Sequence, residues 1–199
     1  QGRKRSIIFP IYFKMNIFGI MRTLIFLVMF SSVLFFTGFE SSFAQETIEN
    51  LKVAFIGDQG VNDNAALVLK LILSEGSDMV LHQGDFDYLD DPDLWDAQIN
   101  NILGSDFPYF ASIGNHDKLE WNGYQEKLQN RLDKIPNVQC SGDLGVKSSC
   151  NFNGLFFILS GVGIVGSDHD EYIKKQLDEN NSIWSICSWH KNMKLMQVG

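Results

Sequence analysis

Short apolar runs in this chain end close to a glycine that is followed at once by an acidic or amide residue. Three runs do so, and they lead into Gly57-Asp58, Gly84-Asp85 and Gly114-Asn115. Continuous apolar runs of about four to eight residues between turn residues predict strands that are buried on both faces. This pattern constrains the fold more than any other feature, because such strands belong to parallel sheets that helices cover on both sides.

Helical patterns lie between the apolar runs. The predicted strands are 52–56, 79–82, 107–113, 155–159 and 183–189, and the predicted helices are 62–75, 92–103, 121–135 and 168–179. Strands that alternate with helices are typical of an α/β fold with a mainly parallel sheet. The segment 141–149 is polar and contains glycine, so it is predicted to be a loop.

The polar residues that follow the predicted strands are expected to lie at one edge of the sheet. In open α/β sheets the loops beyond the carboxyl ends of the strands form the binding site. The residues concerned are Asp58, Asp85, Asn115, His116 and His190. Carboxylate, amide and imidazole donors together suit iron, manganese or zinc. Two cations fit this set if one carboxylate bridges them, and paired metal ions serve phosphoryl displacement.

The charge distribution argues against nucleic acid as a partner. The chain has a formal net charge of −8, and residues 45–199 carry 23 Asp and Glu against 11 Lys and Arg. A domain of that sign repels phosphate backbones. Its carboxylates can instead gather around a metal ion, and about 155 residues suffice for one domain with a core of its own.

The first 44 residues are predicted to contain an export signal. Arg22 precedes an apolar stretch at 24–36, and the small residues Ser42 and Ala44 lie just before Gln45. These are the three parts of a secretory signal peptide, so we expect a secreted or extracytoplasmic protein with no stable membrane anchor after cleavage. The alternative is an uncleaved anchor, although the stretch is shorter than the roughly 20 residues of a membrane span.

Both ends of the sequence indicate part of a longer reading frame. Gln1 is not an initiator residue, and Met15 and Met21 are the candidate starts. Residues 191–199 carry neither a helix cap nor a polar tail. We therefore expect upstream residues and a signal peptide at 1–44, followed by one domain at 45–199 that is partial at its C-terminus.

The three cysteines divide into a pair and a single residue. Cys140 and Cys150 flank the polar segment 141–149, and in an exported protein they are candidates for a disulfide. Cys187 lies within an apolar run and is expected to be a buried free thiol.

Four blocks of the sequence together resemble the motifs of the calcineurin-like metallophosphoesterases. The blocks are Gly57-Asp58-Gln59-Gly60, Gly84-Asp85-Phe86-Asp87-Tyr88, Gly114-Asn115-His116-Asp117 and Cys187-Ser188-Trp189-His190. They occur in the order of the family's motifs and near their spacing. Within the superfamily they are similar to the purple acid phosphatase branch, whose blocks are D-x-G, G-D-x-x-Y, G-N-H-[DE] and a segment that ends in His.

The resemblance to this branch depends on Gly60 and Tyr88. The cyclic-nucleotide phosphodiesterase branch has a histidine ligand where this chain has Gly60, which has no side chain to bind a metal. Tyr88 replaces the lost ligand if its phenolate binds. A phenolate ligand indicates a strongly Lewis-acidic metal ion such as Fe(III). Asp117 stands where Glu is commoner in this branch, which is a mild departure.

The resemblance implies a fold and a metal centre. The fold is an α/β sandwich of the αββα type, in which helices flank two packed β-sheets. The centre would hold two metal ions, Fe(III) with Fe, Zn or Mn. Asp58 and Tyr88 would bind the first, Asn115 and His190 the second, and Asp85 would bridge them. A hydroxide activated by both metals would attack the phosphorus of a small phosphorylated substrate.

The resemblance also implies two catalytic residues. His116 would protonate the leaving alkoxide, and Asp117 would orient that imidazole or tune its charge. The expected activity is that of an acid phosphatase-like phosphomonoesterase. Two alternatives stay open: a phosphodiesterase or nuclease on the same scaffold, and a fragment without catalysis, since the family's final G-H-x-H block is absent from the 199 residues.

Two further histidines are given other roles. His82 lies inside a predicted strand. It is expected either to be structural or to contact the metal ligands without binding the metal itself. His169 lies between Asp168 and Asp170 and is expected at the surface of a helix N-terminus.

Overall fold

The computed structural model describes residues 50–191, and the predicted export signal and candidate start residues lie outside them. The strands are β1 (Val53–Ile56), β2 (Met79–His82), β3 (Tyr109–Ala111), β4 (Val138–Asp143), β5 (Lys147–Phe152), β6 (Leu155–Ser160) and β7 (Trp184–Trp189). The helices are α1 (Asp63–Ser74), α2 (Pro92–Ile102), α3 (Trp121–Leu132) and α4 (His169–Glu179).

The first sheet consists of three parallel strands in the order β1-β2-β3. Phe55 of β1 pairs with Leu81 of β2, and Leu81 pairs with Phe110 of β3. Helices α1 and α2 connect these strands, because parallel neighbours need a crossover. Asn62 begins α1 by accepting a hydrogen bond from the backbone N–H of Ala65 at 3.0 Å. The carboxyl ends of all three strands therefore lie at the same edge.

The second sheet has the order β4-β5-β6-β7, with antiparallel pairs from β4 to β6 and a parallel pair between β6 and β7. The prediction of a loop at 141–149 is wrong, because most of this segment belongs to the hairpin of β4 and β5. Ser141 of β4 pairs there with Ser149 of β5. Strand β4 is exposed along nearly its whole length, so it lacks the apolar residues on which strand prediction depends.

A disulfide joins the two strands of this hairpin. Cys140 and Cys150 are directly opposite each other in the register, and the structure bonds them. Cys187 of β7 is a free thiol that is only partly buried.

Aromatic side chains pack the two sheets against each other. The ring of Phe110 on β3 lies 4.7 Å from that of Phe157 on β6 and 5.9 Å from that of Phe152 on β5. All three are buried, and burial of apolar surface is the main favourable contribution to folding. Helix α3 packs on β3, and α4 packs on β5 and β6. The two-sheet α/β fold that the resemblance implied is confirmed.

None of the helices between residues 50 and 191 is long and apolar enough to cross a lipid bilayer.

Candidate metal centre

Three strand ends bring two carboxylates and an imidazole together. Asp58 follows β1, Asp85 follows β2 and His190 follows β7. One ligand atom from each of them lies within 4.8 Å of the other two. The loops meet because the backbone N–H of Asp58 donates to the carbonyl of Gly84 at 3.0 Å. Ser112 Oγ donates to the carbonyl of Ser188 at 2.9 Å, which joins the two sheets near this edge.

His190 has the orientation of a metal ligand. Its Nδ1 lies 2.8 Å from the carbonyl oxygen of Gln83, and since a carbonyl only accepts, Nδ1 carries the proton. In the neutral ring Nε2 then holds a lone pair, and this atom lies 3.4 Å from Oδ2 of Asp85. A lone pair that faces a carboxylate oxygen is repelled unless a proton or a cation lies between them. The donor set therefore fits a cation at this point.

Tyr88 contacts the same group from the loop after β2. Its hydroxyl donates to Oδ1 of Asp58 at 2.9 Å. Partial burial, together with this hydrogen bond and the charges of Asp58 and Asp85, raises the pKa of Tyr88 well above its ordinary value of 10. The phenol therefore stays protonated beside these carboxylates alone, and a phenolate at this position requires a cation next to it.

The backbone at the centre lies in an uncommon conformation. Asp58, Asp85 and Tyr88 have φ values of 51°, 59° and 61°, in the left-handed region that residues with side chains seldom adopt. Such strain persists only where the surroundings hold it, and it concentrates at functional sites. At Tyr88 the buried carboxylate of Asp87 supplies that support. It accepts backbone N–H groups from the three residues at 89–91, at 2.8–3.1 Å.

Asn115 and His116 lie on the loop after β3, and both are exposed. The backbone N–H of His116 donates to Oδ1 of Asp85 at 3.0 Å, so this loop is attached to the centre. The ring centroids of His116 and Tyr88 are 5.0 Å apart. The imidazole of His116 thus lies beside the group of candidate ligands. Among residues 50–191 no hydrogen bond reaches the side chain of Asn115.

Asp117 has partners that differ from those expected. Its buried carboxylate accepts the backbone N–H groups of Asp85 at 2.9 Å, Phe86 at 2.8 Å and Gly114 at 2.6 Å. No hydrogen bond within the described part of the chain joins it to the ring of His116. Burial raises the pKa of Asp117 to about 6, and the three N–H donors oppose that shift.

The other two histidines have structural environments. His82 is fully buried and accepts the backbone N–H of Gly84 at Nδ1, 3.1 Å away. Burial lowers the pKa of His82 to about 3. The prediction of a surface position for His169 is wrong, because it is buried and contacts the Ser160 hydroxyl and the Val165 carbonyl.

A polar cavity of about 450 Å³ adjoins the candidate ligands. Its lining residues are Gly57, Asp58, Gln83, Cys187, Trp189 and His190. The cavity therefore gives solvent access to Asp58 and His190. Gln83, whose carbonyl oxygen lies against Nδ1 of His190, carries no motif signal of its own. Asp87, whose carboxylate accepts the N–H groups at 89–91, stands at a variable position of its block.

Comparisons with known proteins identify a family for this chain. The family model described as calcineurin-like phosphoesterase matches residues 51–196. Among solved structures, the purple acid phosphatase PPD1 from yellow lupin (Lupinus luteus) seeds matches with a TM-score of 0.46 and 21% sequence identity. That match covers 68% of this chain and 29% of the lupin chain, so this chain spans less than a third of that protein. No curated protein matches this sequence.

Proposed function

Because this chain belongs to the calcineurin-like phosphoesterase family, we propose that the protein is a metal-dependent phosphoester hydrolase with its centre at Asp58, Asp85 and His190. The observation that carries this proposal is the convergence of their three ligand atoms within 4.8 Å. The 3.4 Å approach of the His190 Nε2 lone pair to Asp85 adds support, since this contact is favourable only with a proton or cation between the two.

We further propose how the donors are divided. Asp58 and Tyr88 hold one cation, Asn115 and His190 hold a second, and Asp85 contributes to both. When bound, such cations act as Lewis acids that withdraw charge from phosphoryl oxygens and lower the pKa of water. The exposed amide of Asn115 has no competing partner among residues 50–191, so it is free to turn toward the centre.

The proposed subclass is a phosphomonoesterase in which Fe(III) is one of the metals, with Fe, Zn or Mn as the other. Tyr88 supports the choice of Fe(III), because a phenolate ligand stabilises a trivalent ion. Gly60 supports it too. It has no side chain to bind a metal, and its φ of +72° favours glycine. The tyrosine hydroxyl is therefore the donor that accompanies Asp58.

His116 is proposed as the general acid. Its ring is exposed and lies 5.0 Å from the ring of Tyr88. The backbone N–H of His116 donates to the carboxylate of Asp85. The ring can therefore reach a substrate at the centre and donate a proton to the departing alkoxide oxygen. The expected substrate is a small phosphorylated molecule, because the acidic charge of residues 45–199 disfavours nucleic acid.

Hydrolysis of two chromogenic esters tests the proposal. The protein is treated with a chelator, supplied with Fe³⁺ and Zn²⁺ or Mn²⁺, and assayed with 4-nitrophenyl phosphate and bis(4-nitrophenyl) phosphate. We expect metal-dependent release of nitrophenol, faster from the monoester. Asp85→Asn should abolish it, whereas Asp170→Asn, at an exposed carboxylate in the first turn of α4, should retain it. Preference for the diester would favour a phosphodiesterase, and no hydrolysis of either ester would contradict the proposal.

We also propose that the protein is exported. The signal-like pattern at 24–44 supports this, and so does the disulfide between Cys140 and Cys150, because disulfides persist in oxidising compartments. Mass spectrometry of the secreted protein should find a mature N-terminus at Gln45. A protein that stays in the cytoplasm with its leader intact would contradict export.

A further inference from the structure

The loops after β2 and β3 hold each other through two carboxylates. Asp117, on the loop after β3, accepts the backbone N–H groups of Asp85 at 2.9 Å and Phe86 at 2.8 Å. In return Asp85, on the loop after β2, accepts the backbone N–H of His116 at 3.0 Å through Oδ1. Each loop therefore supplies the acceptor that holds the backbone of the other.

This exchange determines how the Asp85 carboxylate is directed. Because Oδ1 is engaged by His116, Oδ2 is the oxygen that lies 3.4 Å from Nε2 of His190. The backbone of Asp85 has a φ of 59°, in the left-handed region that is uncommon for residues with side chains. The hydrogen bond from its N–H to Asp117 contributes to holding this conformation.

The two loops also approach closely at Gly114. A Cβ atom at this position would lie 2.1 Å from the backbone N of Asp85 and 2.2 Å from its Oδ1, so only glycine fits. The N–H of Gly114 donates to Asp117 at 2.6 Å. Asp117, which is buried to 1% exposure, therefore accepts hydrogen bonds from both loops at their point of contact.

We infer that Asp117 is a positioning residue that holds the Asp85 carboxylate and the His116 backbone as one unit. The inference rests on the proposed metal centre, because Asp85 is the ligand that Asp117 positions. In this role Asp117 positions Asp85 through hydrogen bonds to the backbone. This replaces the expectation that Asp117 orients the imidazole of His116.

Metal affinity measures this role without any assay of turnover. Asp117→Asn keeps one acceptor oxygen but places an NH₂ group against backbone N–H donors. In the full chain, the dissociation constant for Mn²⁺, measured by electron paramagnetic resonance, should rise about 10- to 100-fold, as for other residues that orient metal ligands. Unchanged Mn²⁺ affinity in a folded Asp117→Asn protein would overturn the inference.

A matched control separates positioning from general stability. Asp96 on α2 pairs with the buried guanidinium of Arg131 on α3 at 3.0 Å, and neither residue is among the candidate ligands. Asp96→Asn should lower the melting temperature. It should change the Mn²⁺ dissociation constant by no more than about twofold, because the candidate metal ligands are unchanged. Equal loss of Mn²⁺ affinity in both variants would assign the effect to stability and overturn the inference.

Amide hydrogen exchange tests the same unit without a metal. Asp117 makes no hydrogen bond to the N–H of His116. Asp117→Asn should nevertheless accelerate amide exchange at His116 as well as at Asp85. The reason is that the Asp85 carboxylate, which accepts the His116 N–H, is no longer held in place. Faster exchange at Asp85 with unchanged exchange at His116 would overturn the inference. Absence of Mn²⁺ binding in the unmodified protein would contradict the proposed function. The amide exchange rates at Asp85 and His116 would still show whether Asp117 holds the two loops as one unit.

The unmodified protein provides the measurement if Asp117→Asn does not fold. Added Zn²⁺ should slow amide exchange at Asp85, Gly114 and His116 by a similar factor. The reason is that a metal ion bound by Asp85 would stabilise both loops together. Protection of Asp85 alone would overturn the inference.

Discussion

The hydroxyl of Tyr88 lies 2.9 Å from Oδ1 of Asp58, and this contact joins the loop after β2 to the loop after β1. Tyr88 is about half exposed and adopts a left-handed backbone conformation. Its side chain therefore reaches Asp58 at the expense of local strain, which the turn capped by Asp87 sustains. A tyrosine held in this way next to a carboxylate is well placed to share a cation with it.

Replacement of Tyr88 tests whether its oxygen binds iron. If a phenolate is bound to Fe(III), the iron-loaded protein should show a visible charge-transfer band and a purple or pink colour. Tyr88→Phe should remove the band while preserving the fold, because only a hydroxyl is lost. Activity should fall as the metal is held less tightly, and excess metal should partly restore it. Absorption spectra and metal analysis of both proteins provide the measurement.

The control for this substitution removes a hydroxyl elsewhere. Tyr172→Phe, on α4 beside the second sheet, should keep both the colour and the metal content. A colourless unmodified protein with full iron occupancy would exclude Tyr88 as a ligand and leave Asp58, Asp85, Asn115 and His190 as the donors.

The exposed imidazole of His116 should affect turnover and not metal binding. His116→Ala removes the ring but keeps the backbone N–H that donates to Asp85. We expect kcat to fall by about 10²- to 10⁴-fold, the usual contribution of a positioned acid, with unchanged metal content. The loss should be smaller for esters of acidic phenols, whose leaving groups need little protonation. An equal loss for all leaving groups would contradict the assignment.

The disulfide between Cys140 and Cys150 should stabilise the hairpin of β4 and β5. Closing a loop of this length contributes about 2–3 kcal/mol by the chain-entropy argument. Cys140→Ser with Cys150→Ser should lower the free energy of unfolding by about that amount, whereas Cys187→Ser, at the free thiol, should change it little. Thiol titration of the denatured, non-reduced protein should find one free thiol, and three would show that the bridge is absent.

The contribution of His82 to stability should decrease in acid. Burial lowers the pKa of its imidazole to about 3, whereas in the unfolded chain the ordinary value of about 6.5 applies. The folded state therefore needs neutral His82. The stabilisation is complete above pH 6.5 and is lost as the pH falls toward 3. At pH 5 the loss is about 2 kcal/mol, taking 1.36 kcal/mol per pH unit.

Urea denaturation of the metal-free protein at pH 7.5 and pH 5 measures this contribution. His82→Asn places an amide oxygen where Nδ1 accepts the N–H of Gly84 and has no group that titrates in this range. Its free energy of unfolding should therefore depend less on pH than that of the unmodified protein. The same pH dependence in both proteins would contradict the role of His82.

Local pattern was sufficient to predict the elements around the candidate site. Strands β1, β2, β3, β6 and β7 are apolar along much of their length, and all four helices show a matching periodicity or cap, so each lies close to its predicted position. The hairpin of β4 and β5 escaped prediction because β4 faces solvent and contains Cys140, Ser141 and Gly142 in place of an apolar run. The burial of His169 escaped too, because its partners Ser160 and Val165 belong to a separate element and loop.

The sequence by itself determined which chemistry is available: two carboxylates, an amide, a phenol and two imidazoles, each placed just after a predicted strand. Residue type and the order of strand and loop are local properties, so they can be read without coordinates. Only the tertiary structure decided the partners of each group. Asp117 is adjacent to His116 in sequence, yet its carboxylate binds the N–H groups of Asp85 and Phe86, more than 30 positions away. Hydrogen bonds of that kind depend on how two loops meet in space, and sequence distance carries no information about it.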